Sequence, residues 1–116
     1  LPESGARLYR RRGGGAWAMR LEAEHSGPDG QVPGSLLVTL AEQALHHELK
    51  RQGGLGRVTT ISLSADFSAR AGPGQWLEAQ IEIQHPGPGL AFASAYLVVG
   101  HRRLARISGV FASAGA

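Results

Sequence analysis

Only one stretch of this 116-residue chain repeats with the period of a helix, and that restricts it to architectures in which a single long helix is covered by strands. Leu36, Leu37, Leu40, Ala41, Ala44, Leu45 and Leu49 follow the i, i+3, i+4 spacing of one apolar helix face. Gly34 or Ser35 is placed to cap its start. Gln52-Gly53-Gly54 ends it, with Lys50 and Arg51 in the last turn, where cations suit the helix dipole. The spacing predicts a helix over Leu36–Lys50.

Everything after that helix alternates with a period of two, the mark of strands. Val58–Phe67 sets Ile61, Leu63, Ala65 and Phe67 against Thr60, Ser62, Ser64 and Asp66. Trp76–Gln84 sets Leu77, Ala79, Ile81 and Ile83 against Glu78, Gln80, Glu82 and Gln84. Leu90–Val99 is apolar on both faces, as a central strand is, and Leu104–Ala112 is the last strand. Ahead of the helix, Trp17, Met19, Leu21 and Ala23 alternate with Ala18, Arg20, Glu22 and Glu24, so a strand is expected from Ala16 to Glu24. Gly/Pro turns at Ala71–Gly74 and Pro86–Gly89 and a turn at Gly100–Arg102 join the later strands into an antiparallel meander. The order strand, helix, four strands predicts an α+β fold in two layers.

Composition removes several function classes. The chain has no Cys, which excludes a disulfide framework, a thiolate metal site and a Cys nucleophile. No apolar run reaches the roughly 18 residues of a membrane span, and a cytoplasmic protein with no membrane partner is expected. The net charge of +3 comes from Arg, Lys50 being the one lysine, and clusters at Arg7, Arg10, Arg11, Arg12 and at Arg102, Arg103, Arg106. Only seven aromatics accompany it, most at core-like positions, so a nucleic-acid surface is not expected. The clusters read instead as solvated segments, or as ligands for the phosphates of a nucleotide cofactor. Residues 1–15 are expected to form a basic flexible arm or an edge strand, 16–112 a single domain, and 113–116 a tail.

Two features of the helix carry chemistry. Its start, Gly34-Ser35-Leu36, presents free amides and a partial positive charge, which can hold an anion or polarise a carbonyl. Glu42 lies two turns further on, at the border of the apolar arc, with His46 four residues later on the same side. A carboxylate partly desolvated at such a border can act as a base near neutral pH. His46-His47 lacks metal-ligand spacing, so no metal is expected. There is no nucleophile elbow, P-loop or dinucleotide fingerprint.

Several segments together resemble one family. Pro33-Gly34-Ser35 followed by Leu40-Ala41-Glu42 is similar to the helix start of hotdog-fold acyl-CoA thioesterases, in the phenylacetate-degradation and 4-hydroxybenzoyl-CoA thioesterase group, with the same spacing of eight from Gly to acid. Ile61–Phe67, Ala71–Ala79, Leu90–Ala93 and Leu104–Gly109 resemble later strands and turns of that family in the right order.

The resemblance implies a hotdog fold, a long helix wrapped by a curved antiparallel sheet, in homodimers or dimers of dimers with active sites between subunits. It implies that the Gly34 amide polarises a thioester carbonyl and that Glu42 is general base or nucleophile. It further implies that a hydroxyl at Thr60, supplied by the partner subunit, places water. Ser35 and His46 are expected at the substrate, and Arg57, Arg70, Arg102 and Arg103 at the coenzyme phosphates, with Arg51 a further candidate. Coenzyme A enters as part of an acyl-CoA substrate and no separate cofactor is implied. Two positions depart from the family pattern: Pro33 stands for a His, and Gly27 for an Asn or Gln. The Asn or Gln helps hold water and thioester in that family, so a domain that binds acyl-CoA without hydrolysing it is the alternative function. A hotdog dehydratase fits less well, because the Asp/His pair expected at the helix start is missing.

Overall fold

The computed structural model describes residues 8–10, 16–53, 56–85 and 89–114. Strand β1 (Tyr9–Arg10) and strand β2 (Ala16–Arg20) lead through a short 3-10 turn (Ala23–His25) to helix α1 (Gly34–Gly53). Four long strands follow: β3 (Arg57–Phe67), β4 (Trp76–His85), β5 (Gly89–Val99) and β6 (Arg102–Ala114). All six strands form one antiparallel sheet in the order β1-β2-β4-β5-β6-β3. One helix lies against one sheet, the two-layer arrangement the alternation predicts. Of the expected N-terminal arm, Tyr9–Arg10 pairs with β2 as an edge strand. Arg7, Arg11, Arg12, the glycines 13–15, the turn residues 86–88 and residues 115–116 of the expected tail lie outside the described residues.

The meander holds for β4, β5 and β6, but β3 is not its first member. It pairs with β6 at the far edge, and β2 takes the place beside β4. The segment after β3 crosses the end of the sheet: the Ser68 and Ala69 amides donate to Leu104 O at 2.8 and 3.3 Å, and the Val32 amide donates to Ala71 O at 2.8 Å. The helix therefore carries the chain from one edge of the sheet to the other across its apolar face. Leu37, Leu40, Leu45 and Leu49 of α1 form one core with Met19, Leu97, Ile107 and Phe111 of the sheet, each at most 2% exposed.

Other boundaries differ from the sequence expectations. The helix begins at Gly34, with Pro33 as its N-cap, because Pro33 O accepts the amides of both Leu36 (3.1 Å) and Leu37 (3.2 Å). Neither Gly34 nor Ser35 is the cap. The first expected strand stops at Arg20 rather than Glu24. Beyond it, the Glu22 amide donates to His25 Nδ1 at 2.7 Å, and the Glu22 side chain accepts the His25 amide, closing the 3-10 turn. The last strand continues two residues past Ala112, to Ala114, because it pairs with the start of β3.

One irregularity in β3 matters most. Thr60 lies opposite Phe111 and Ser62 opposite Val110, so Ile61 is an extra residue, a β-bulge. Directly opposite residues share a face of the sheet. Thr60 thus shares the helix-facing side with Phe111, and beyond the bulge so do Leu63 (opposite Gly109) and Phe67 (opposite Ala105). Simple alternation puts Thr60 and Leu63 on opposite faces; the bulge puts them on the same one. Ile61, expected to line the apolar face, is instead 55% exposed.

Candidate active site

The helix start is chemically open. Leu36 and Leu37 spend their amides on Pro33 O, while the amides of Gly34 and Ser35 donate to no acceptor among the described residues. Two free N–H groups at a helix start point along the positive end of its dipole. A Cβ built on Gly34 would sit 3.4 Å from Phe67 Cζ, so the aromatic ring at the end of β3 lies over this first turn. Phe67 itself is 43% exposed.

Two turns along, Glu42 is half-buried on the face turned toward β3. The Thr60 hydroxyl donates to Glu42 Oε2 at 2.6 Å. His46, one turn further, places Nε2 2.7 Å from the same hydroxyl. Its ring meets Phe111 edge-on, with centroids 5.5 Å apart and planes at 83°. Burial lowers the basicity of His46 most; the Glu42 carboxylate opposes this, and the charges of Lys50 and His47 add to the lowering. Its ring is therefore held below the ordinary imidazole range. Glu42 Oε1 has no hydrogen-bond partner among the described residues. The arrangement is a carboxylate fixed through one oxygen and open at the other, which suits it to take a proton from water or to attack an electrophile.

Glu42, His46 and Thr60 thus come together within one chain, where the resemblance implies a hydroxyl supplied from the partner subunit. Gly34 does not join them. Eight residues of helix separate Gly34 from Glu42 by about 12 Å at the usual rise per residue. Ser35 is exposed in the first turn, its carbonyl accepting the Thr39 hydroxyl at 3.1 Å.

The arginines divide. Arg70 and Arg102 border an open groove with Gln31, Gly72, Pro73 and Gln75. Arg70 is paired with Asp29 at 2.9 Å, and Arg102 Nη2 donates to Arg70 O at 3.3 Å. Arg103 lies over the Tyr96 ring, 3.9 Å from its centroid. Arg57 begins β3, ten residues from Phe67, which is about 33 Å along an extended strand, so within one chain it does not gather with the others. Arg51 is committed elsewhere: its Nε donates to Glu48 Oε1 at 3.1 Å, and its Nη2 forms an ion pair with Glu48 Oε2.

Sequence reasoning missed two parts of the site. Phe67 covers Gly34 and Phe111 backs His46, yet both read from sequence only as apolar strand residues. Nothing local marks them, since their roles come from pairing partners far along the chain.

Known proteins share this architecture. The E. coli PaaI protein, from the phenylacetic acid degradation operon, superposes with a TM-score of 0.82 over 97% of this chain and 81% of its own, at 20% identity. A hypothetical thioesterase from Streptococcus pneumoniae, solved with coenzyme A, gives 0.81 over 96% of this chain and 90% of its own, at 16% identity. The smu.793 protein from Streptococcus mutans, solved with acetyl CoA, gives 0.82 over 96% and 90%, at 12% identity. At these identities the likeness shows the fold. In sequence, a Pseudomonas aeruginosa protein named "Putative esterase PA0474" is 38% identical over 96 residues, which is 81% of this chain and 71% of that protein. The profile of the thioesterase superfamily matches residues 29–104, a span that holds Gly34, Glu42, His46 and Thr60. The chain therefore belongs to the thioesterase superfamily and has its hotdog fold.

Proposed function

We propose that this protein hydrolyses acyl-CoA thioesters, with Glu42 as general base or nucleophile and the Gly34 amide as the donor that polarises the carbonyl. The observation that carries the reading is the Glu42 carboxylate, held at Oε2 by Thr60 and open at Oε1, on the same helix as the free amides of Gly34 and Ser35. As general base, Glu42 takes a proton from water as the water oxygen attacks the thioester carbon. The oxyanion rests on an amide N–H, and its collapse expels the coenzyme thiolate, which recovers the proton from Glu42. As nucleophile, Glu42 forms an acyl anhydride with the same loss of thiolate, and water then cleaves it.

The amide must lie about 3 Å from the carbonyl oxygen, and Glu42 about 3 Å from the carbonyl carbon or from the water that attacks it. The roughly 12 Å between Gly34 and Glu42 of one chain rules out their sharing a substrate. A second copy, running its helix antiparallel, supplies the missing member of each pair. The outer edge of β3 favours this: among the described residues it pairs with β6 on one side only, and unpaired edges seek partners. The groove of Arg70 and Arg102 lies at the same end of the sheet as Gly34, which suits the phosphates of coenzyme A.

The test is thiol release from short, long and aromatic acyl-CoAs. Hydrolysis that disappears in Glu42→Ala while the fold is kept supports the enzyme. Saturable acyl-CoA binding without turnover in the unaltered protein favours the non-catalytic alternative, which the departures at Pro33 and Gly27 support. Neither turnover nor a rise in Tm with any acyl-CoA overturns both readings.

A further inference from the structure

We propose that His46 is a positioning residue: it holds the Thr60 hydroxyl so that its one proton points at Glu42, leaving the second carboxylate oxygen to meet water. The proposal rests on the reading of Glu42 as base or nucleophile.

A threonine hydroxyl has one proton and rotates freely unless its neighbours fix it. Thr60 Oγ1 has two neighbours at hydrogen-bond distance, Glu42 Oε2 at 2.6 Å and His46 Nε2 at 2.7 Å. An ionised carboxylate only accepts, so Thr60 donates to Glu42 and accepts from Nε2. The hydrogen of the neutral ring is then on Nε2, and Nδ1 is bare. Without the His46 N–H, the Thr60 oxygen keeps its lone pairs unfilled and its rotor is set by Glu42 alone.

The ring is placed to do this. His46 follows Glu42 by four residues on the same helix face, and β3 inserts Thr60 between them. Phe111 of β6 meets the ring edge-on, which limits its rotation. The charged groups acting on it are Glu42, His47 and Lys50, all from its own helix, while the β3 and β6 neighbours Thr60 and Phe111 are neutral.

Hydrogen bonds run one way, from His46 through Thr60 to Glu42. A proton that Glu42 takes from water cannot pass back to Nε2, which already holds one. His46 therefore acts through Thr60 and does not take up the proton of the reaction.

Three variants separate this role from packing. His46→Phe keeps a ring against Phe111 without an N–H; His46→Gln restores an N–H near the Nε2 position. The first is expected to lower kcat about tenfold with KM little changed, the scale of one hydrogen bond, and the second to stay within about threefold of the unaltered protein. In a Thr60→Val background, His46→Phe is expected to cost nothing further. Equal loss in Phe and Gln variants, or an undiminished loss in the Thr60→Val background, overturns the proposal.

The tautomer is read separately, from the nitrogen shifts of His46 in the substrate-free protein at neutral pH. An Nε2–H neutral ring is expected, and an Nδ1–H or charged ring overturns the assignment even if the protein is active. Absence of hydrolysis by the unaltered protein overturns the thioesterase reading and the catalytic consequence with it, while the tautomer still decides whether His46 holds Thr60.

Discussion

Thr60 donates to Glu42 across 2.6 Å because Ile61, the next residue along, is squeezed out of the ladder. The bulge resets which side of β3 faces the helix, so the hydroxyl meets the carboxylate rather than solvent. A hydrogen bond to an ionised group contributes about 1.5–3 kcal/mol. Thr60→Val is expected to lower kcat by about 10- to 100-fold, and Thr60→Ser to remain within about threefold, if Glu42 must be held at Oε2. Steady-state kinetics with thermal melts of both variants check this.

The Gly34 amide can be deleted without disturbing the helix. Gly34 is the first helical residue, where proline fits and where the N–H has no acceptor within the helix. Gly34→Pro should therefore fold with little change in Tm and lose about 100- to 1,000-fold in kcat, the scale of one oxyanion donor. Gly34→Ala keeps the amide, and its Cβ at 3.4 Å from Phe67 is an ordinary contact, so it should keep most activity. A fully active Gly34→Pro protein would remove the amide from the mechanism.

The helix, the four long strands and most turns are legible in the sequence because each is set by local pattern: a 3.6 period, a 2.0 period, and Gly/Pro turn chemistry. Glu42 and Thr60 are legible one at a time, as an acid at an apolar border and as a residue matching a family position. Their meeting is not. It depends on the Ile61 bulge and on β3 crossing to the far edge beside β6, both fixed by pairing between residues some fifty apart. Glu48 shows the same limit. It is fully buried, a location that needs Trp17 of β2 and the neighbouring Arg51 and Gln52 to satisfy its oxygens.

The groove of Arg70 and Arg102 gives a test of how coenzyme is held. Arg102→Ala is expected to raise KM for acyl-CoA about five- to tenfold, the scale of one charged contact, with kcat little changed. KM for an acyl-pantetheine thioester, which lacks the nucleotide phosphates, should not move. Equal effects on both substrates would place the groove outside the coenzyme site.

Gly109 sits where β6 allows the Phe111 ring to fold across it. A Cβ there would lie 2.6 Å from Phe111 Cζ and 2.9 Å from Leu63 Cδ2. Phe111 is fully buried, so the ring has no free space to retreat into. Gly109→Ala is expected to destabilise the fold by about 1–3 kcal/mol, the usual cost of overpacking. Because Phe111 also backs His46, the variant should lose activity even at temperatures where it remains folded. Urea unfolding alongside kinetics separates the two effects.

Glu48 makes stability depend on acid. Burial alone would raise its pKa, but hydrogen bonds from Arg51, Gln52 and Trp17, together with the Arg51 charge, bring it from 4.5 down to about 2. A carboxyl depressed on folding contributes stability that is complete above its unfolded value and lost as pH falls toward its folded value. The window is therefore about pH 4.5 down to pH 2. The difference amounts to at most about 3 kcal/mol, and less in practice because the Arg51 side chain is 42% exposed and screened by solvent. Glu48→Gln should be less stable than the unaltered protein at pH 7, and its urea midpoint should fall less steeply between pH 5 and pH 2. Parallel curves for the two proteins across that window would show that the Trp17, Arg51 and Gln52 contacts do not hold Glu48 ionised.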